Sequence, residues 1–261
     1  MDWLSTSLPL MALAMMRPLG AMLLTPVFGT AMLGGALIRN ALAFMAALPT
    51  FPLMLSLALP DPWRQPMAYA GLLAGELTIG VLLGFSVAIP FWAIDAAGHL
   101  LDTLRGASMG SVLNPVLGVQ SSVLGTLFAQ LISTLFLVSS GFHALLTALF
   151  DSYLLLPPGQ PWTFGTRFLP FLLSDWRTLY TLGLGFAMPG IVIMVLIDLG
   201  LGLINRTVQQ MNVFSLAMPI KSLAVLLLML IAMQFCLQGV ERQFARLDGG
   251  LVHGLQSVSH E

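Results

Sequence analysis

The sequence predicts an all-α fold embedded in a membrane, and three features carry that prediction. Charge is scarce: 57% of the 261 residues are hydrophobic and 8% are charged, against about 25% charged in an ordinary soluble domain. Uncharged runs are long. No Asp, Glu, Lys or Arg occurs over 18–38, 40–60, 77–94, 106–150, 178–197 or 222–240, each near or above the roughly 20 residues that cross a bilayer as a helix. The runs are also continuous and rich in Leu, Ala and Met, without the alternation at every second residue that a barrel strand needs. Only helices and closed barrels satisfy every backbone N–H and C=O in hydrocarbon, so helices remain.

Local punctuation places helices at 4–29, 36–58, 66–97, 98–110, 119–150, 170–206 and 212–246. The first is expected to stay in the mature chain, because Met1-Asp2-Trp3 lacks the basic start of a secretory signal and Arg17 interrupts the apolar stretch. Gly34-Gly35 and Pro60-Asp61-Pro62 bound the second helix; Asn114-Pro115 and Pro157-Pro158-Gly159 flank the 119–150 helix. Proline lacks a backbone donor and glycine leaves helical geometry easily, which is why these clusters read as stops. The stretch 151–169, with Trp162 and Arg167, is the longest expected loop. Pro49, Pro52, Pro90 and Met188-Pro189-Gly190 fall inside apolar runs and predict bent helices whose freed backbone groups are satisfied by neighbours. Gly71, Gly75, Gly80 and Gly84 would let helix axes approach closely. The whole chain reads as one domain ending in a polar tail, 247–261, that holds solvated His253 and His260.

Charge does not assign an orientation. Arg39, Arg64, Arg105, Arg167, Arg177, Arg206, Lys221, Arg242 and Arg246 are spread without the alternation that a positive-inside pattern requires. A net charge of −1 gives no sign of a nucleic-acid partner. The lone cysteine, Cys236, has no second cysteine to pair with in the chain and reads as a small packed hydrophobe.

Ionisable groups within apolar helices are expensive, which makes Arg17, Glu76, Asp95, Asp198 and Lys221 the candidates for function or for partners between helices or subunits. Asp198 shares a helical segment with Asn205 and Arg206, a spacing that aligns polar side chains toward an interior or a partner. His99, three residues before Asp102, is placed for a local hydrogen bond with it. The four histidines, His99, His143, His253 and His260, have no spacing that would make them metal ligands, and the chain reads as lacking HExxH, G-x-S-x-G, a paired-cysteine zinc motif and a phosphate loop. No enzyme, cofactor or metal is expected.

Two polar blocks interrupt the hydrophobic background. The first runs from Asp102 through Arg105, Gly106, Met109, Gly110 and Val112 to Asn114-Pro115; the second from Asn205-Arg206 through Gln210 and Asn212 to Lys221. Polar or non-helical backbone at membrane depth is tolerated only inside protein or along an aqueous path. The first block suits a flexible closure, in which Gly106 and Gly110 permit bending while Met109 and Val112 plug a narrow hole; methionine adapts to irregular surroundings. An ordinary turn between two helices is the alternative.

At these blocks the chain resembles the FliR/SctT family, the T subunit of the type III secretion export apparatus. The likeness extends over nearly the whole chain: Arg17-Pro18, Gly35-Ala36-Leu37-Ile38-Arg39-Asn40, Glu76 followed by Gly80 and Gly84, and both blocks. Arg105-Gly106-Ala107-Ser108-Met109 with Asn114-Pro115 resembles the injectisome branch more than the flagellar branch, which is richer in phenylalanine there and usually ends in Asp-Pro. The resemblance implies helical hairpins stacked in a closed export gate with R and S subunits (FliP- and FliQ-like), with the U-type switch subunit and V-type export gate as further partners. It implies a place in the bacterial inner membrane, within the basal body, passing secreted protein substrates. The family's plug loop falls on 106–116, where Met109 and Val112 stand in place of the flagellar plug phenylalanines. Gln209-Gln210-Met211-Asn212 departs from the Pro-Gln-Met-Asn of many relatives, which puts the turn geometry there in question. Energy for export would come from a separate ATPase and the proton gradient.

The competing expectation is a secondary transporter or channel with Glu76, Asp95 and Asp198 as ion sites. Against it, the two halves of the sequence show no inverted repeat.

Overall fold

The computed structural model describes residues 2–55, 60, 62–107, 122–159, 165, 166, 168–207 and 213–259. Among these residues every regular element is helical. The longer helices are α1 (Asp2–Leu24), α3 (Ala36–Ala47), α5 (Pro66–Leu104), α6 (Val123–Val138), α7 (Gly141–Leu155), α8 (Phe168–Thr207) and α9 (Val213–Ser259), with single turns α2 (Thr30–Leu33) and α4 (Phe51–Met54) between them.

The predicted stops hold at Gly34 and Gly35, whose φ of 72° and 155° is open to glycine but strained for other residues. The expected 36–58 helix is broken: a 3-10 turn at Leu48–Thr50 separates α3 from α4, because Pro49 and Pro52 remove two backbone donors within one turn. Conversely, the expected boundary at 97/98 is absent and α5 runs on as one helix to Leu104, with Pro90 inside it. The expected 119–150 helix divides at Ser139–Ser140 into α6 and α7. The last helix continues to Ser259, past the predicted end at 246.

Among the described residues four stretches are long and apolar enough to cross a membrane: Ser7–Leu24, Ala36–Met54, Pro66–Leu104 and Phe168–Thr207; the pair α6 and α7 would make a fifth if counted together. Their apolar windows differ in cover. Pro66–Leu104 is 72% buried and Phe168–Thr207 only 17%, so α8 is the helix whose apolar surface most needs lipid or another chain against it.

The chain forms two compact units. The first comprises 1–89, 136–176 and 243–261, and the second 90–135 and 177–242. In the first, Leu10, Leu13, Ala14, Arg17 and Ala21 lie on the buried stripe of α1, at the i, i+3, i+4, i+7 spacing of one helix face. Gly80 and Gly84 of α5 bring that helix against α1 so closely that a Cβ at Gly80 would strike the backbone of Arg17 and one at Gly84 that of Ala21. Gly71 and Gly75 of the same series face open space. Phe136 and Phe244 close this core edge to face, with centroids 5.2 Å apart. In the second unit Ile94, Ala97, Leu101, Leu124, Phe128, Ile132, Phe186 and Met194 are buried; Phe128 and Phe186 meet edge to face at 4.9 Å.

Candidate functional site

The end of α5 and the start of α6 are joined by one carboxylate. α5 ends in a Schellman motif: Gly106 N–H donates to Thr103 C=O at 3.1 Å and Ala107 N–H to Asp102 C=O at 3.0 Å, with Gly106 in the left-handed region at φ 84°. Gly106 is therefore a helix cap. At the start of α6, Ser122 is the N-cap, its Oγ accepting from Gly125 N–H at 2.7 Å. Asp102 bridges the two ends, Oδ2 accepting from Ser122 Oγ at 2.6 Å and from Leu124 N–H at 3.0 Å. The carboxylate thus sits at the positive end of α6. On its other side, Arg105 Nε lies 2.8 Å from Asp102 Oδ1, an ion pair by proximity. One turn before Asp102, α5 and α6 touch at Gly98 and Gly125: a Cβ on Gly98 would strike the backbone of Gly125, and one on Gly125 would meet the side chains of Ser122 and Asp95.

Helix α9 closes on the same cap. Met218 lies over Gly106, its Cε 3.3 Å from where a Cβ would stand, so the two polar blocks of the sequence meet here. Three residues on, Lys221 Nζ reaches Asp198 Oδ1 of α8 at 2.6 Å; Lys221 is 14% exposed and Asp198 is 55% exposed. Asn205 and Arg206, expected to share a polar face with Asp198, are likewise exposed. His99 does not pair with Asp102. Its Nε2 is 3.9 Å from Asp95 Oδ2, one turn earlier, and both side chains are about half exposed.

The second polar cluster is in the first unit. Arg17 is fully buried and uses every N–H it has: Nε donates to Glu76 Oε2, Nη2 to Glu76 Oε1 at 3.2 Å and Leu156 C=O at 2.6 Å, Nη1 to Ser152 C=O at 2.7 Å and Ser152 Oγ at 3.2 Å. Tyr153 lies under the guanidinium, 4.4 Å from ring centre to Cζ, and donates its own hydroxyl to Ala14 C=O at 2.8 Å. One arginine thereby takes up the Ser152 and Leu156 carbonyls at the C-terminal end of α7.

Of the residues singled out in the sequence, Met109, Gly110, Val112, Asn114, Pro115, Gln210 and Asn212 lie outside the described residues. Ser122, Ser152 and the pair of Ser86 with Asp175, whose carboxylate accepts from Ser86 Oγ at 2.6 Å, escaped the sequence reading. Ser122 carried a usable signal, a serine immediately before an apolar run; Met218 lies in the second polar block, but nothing in the sequence marks it as the neighbour of Gly106.

The letters of the G-x-S-x-G nucleophile elbow, read above as missing, do occur, as Gly106-Ala107-Ser108-Met109-Gly110. That motif works by presenting serine on a strand-to-helix turn, whereas here a helix, α5, leads into it. Among the described residues no group of three His, Cys, Asp or Glu is placed to hold a metal ion.

The chain matches the family described as bacterial export proteins, family 1, over residues 8–247. It is similar to the secretion system apparatus protein SsaT of Salmonella typhimurium, 42% identical over 227 residues that cover 87% of this chain and 88% of that protein. To the Yop proteins translocation protein T of Yersinia pestis it is 34% identical over 235 residues, 88% of this chain and 87% of the relative. To the flagellar biosynthetic protein FliR of Bacillus subtilis it is 31% identical over 159 residues, 60% of this chain and 61% of the relative.

Proposed function

This chain belongs to the bacterial export proteins, family 1, and from that membership we propose that it is a structural and gating subunit of a type III secretion export gate. The observation that carries the proposal is the 42% identity across 87% of the chain to a secretion apparatus protein, above the 31% across 60% found with a flagellar relative. The injectisome branch follows from that order. The gate lies in the bacterial inner membrane, and this subunit works with R- and S-type neighbours, the U-type switch subunit and the V-type export gate to pass unfolded proteins.

The surface of α8 supports a subunit within an assembly. Its exposed face carries Leu196, Leu199 and Leu203 beside Asp198, Asn205 and Arg206. A half-exposed carboxylate is costly against acyl chains and easily met by a partner's donors or by water. The chain itself hydrolyses nothing in this reading. Opening is a shift between two packed states, biased by contacts that substrate and neighbours make differently in each. The segment 106–116 is the plug, with Met109 and Val112 as its sealing side chains.

A transporter that uses Glu76, Asp95 and Asp198 has less support. Glu76 is paired with Arg17 and Asp198 with Lys221, so two of the three carboxylates already have a cation against them.

The test is a mild-detergent pull-down of the tagged chain, expressed with and without the R- and S-type subunits. A stable complex is expected; a lone monomer or homodimer in both preparations would refute the assignment. In the assembled gate, Met109→Ala and deletion of 107–112 should each leak small ions. An intact seal in both would remove the plug.

A further inference from the structure

We propose that Asp102 is the positioning residue of the seal, clasping the two feet of the segment between α5 and α6 to each other. The inference rests on reading that segment as the plug. Each foot has a cap of its own, the Schellman turn at Gly106 and the serine cap at Ser122, and Asp102 completes the second by taking the Leu124 N–H that Ser122 leaves free.

What Asp102 adds is the connection. Its Oδ2 takes one bond from the Ser122 side chain and one from the Leu124 backbone, across 20 and 22 residues of sequence. Side-chain bonds from serine or threonine to carbonyls three or four residues back merely repeat what a helix does; these two do not. The group is 6% exposed, so water cannot replace the bonds cheaply once they are lost. Arg105 offsets the charge from within α5, and the backbone contact of Gly98 with Gly125 keeps the two helices in register one turn away. The Gly98–Gly125 contact sets how close the helices lie. Asp102 sets where the chain leaves one and enters the other.

The position also explains why a carboxylate is used. Leu124 N–H belongs to the first turn of α6, whose free amides favour an anion. An amide in its place keeps one acceptor and loses the charge. Asp102→Asn should therefore hold the clasp partly and Asp102→Ala not at all, with Ser122→Ala intermediate because the Leu124 bond survives.

The experiment uses the gate assembled with its R- and S-type subunits. Spin labels are placed at Leu104→Cys and Val123→Cys, both exposed positions flanking the clasp, in a Cys236→Ser background, and the distance between them is read by pulsed electron paramagnetic resonance. Ion leak through the same preparations is recorded alongside. The clasp predicts one narrow distance in the unaltered protein, a broadened distribution with a longer population in Asp102→Ala, partial return in Asp102→Asn, and leak that follows the same order. Co-purification of the neighbours at normal yield shows that the variants fold. An unchanged distance in Asp102→Ala overturns the clasp whatever the leak. A broadened distance without leak, in a gate that does leak when 107–112 is deleted, overturns its role in sealing while leaving the plug intact. If the deletion does not leak either, the plug reading falls and the positioning role falls with it.

Discussion

Arg17 and Glu76, 59 residues apart in sequence, form a buried ion pair in which the arginine also holds Ser152 and Leu156 at the end of α7. Three helices are fastened by one guanidinium. The arrangement depends on the close approach of α1 and α5, because the Arg17 backbone rests directly on Gly80.

Removing one member of the pair should be far worse than removing both. Glu76→Leu leaves a fully buried cation with no counter-charge, expected to cost about 3–5 kcal/mol, whereas replacing both residues by apolar ones of similar size can be nearly neutral. Thermal unfolding of Arg17→Met, Glu76→Leu and the double variant in detergent checks this. If the double variant loses as much as the sum of the singles, the pair is not coupled as described.

The glycines of α5 should separate into two kinds. Gly80→Ala drives a methyl into the Arg17 backbone and should destabilise by about 1–3 kcal/mol, the usual cost of overpacking. Gly75→Ala meets nothing within 4 Å and should gain up to about 1 kcal/mol from helix propensity. Melting temperatures of the two variants moving in the same direction would contradict the packing of α1 on α5.

Gly106 should tolerate asparagine better than alanine. Its φ of 84° costs a Cβ-bearing residue about 1–2 kcal/mol, and asparagine enters the left-handed region more readily. Shortening the overlying side chain with Met218→Ala relieves the contact but not the strain. Gly106→Ala should therefore remain destabilised in a Met218→Ala background, as read from unfolding midpoints; full rescue would mean that the methionine, not the backbone, sets the penalty.

Part of this architecture is legible in one dimension. The helical class follows from the uncharged runs, since no other element spans hydrocarbon without orphaned backbone groups. Gly34-Gly35 and Pro49 with Pro52 act through their own dihedrals and missing donors, and the chain turns or breaks at both places. Arg17, Glu76, Asp102 and Lys221 could be singled out because a charge in an apolar setting must have a partner. Which partner was not legible. The same-face rule offered His99 to Asp102, but the tertiary fold brings Ser122 and the Leu124 amide to it.

Helical class, the glycine and proline punctuation and the set of polar groups in need of partners are written in one dimension, because they are properties of local backbone chemistry and of the cost of burying charge. That Arg17 closes the end of α7, that Gly80 and Gly84 pack while Gly71 and Gly75 do not, and that Asp102 joins two helix ends emerge only when the helices pack. Those choices depend on which helix faces meet, and hydrophobic burial, being non-directional, makes many faces nearly equivalent until side-chain shape and hydrogen bonding select one.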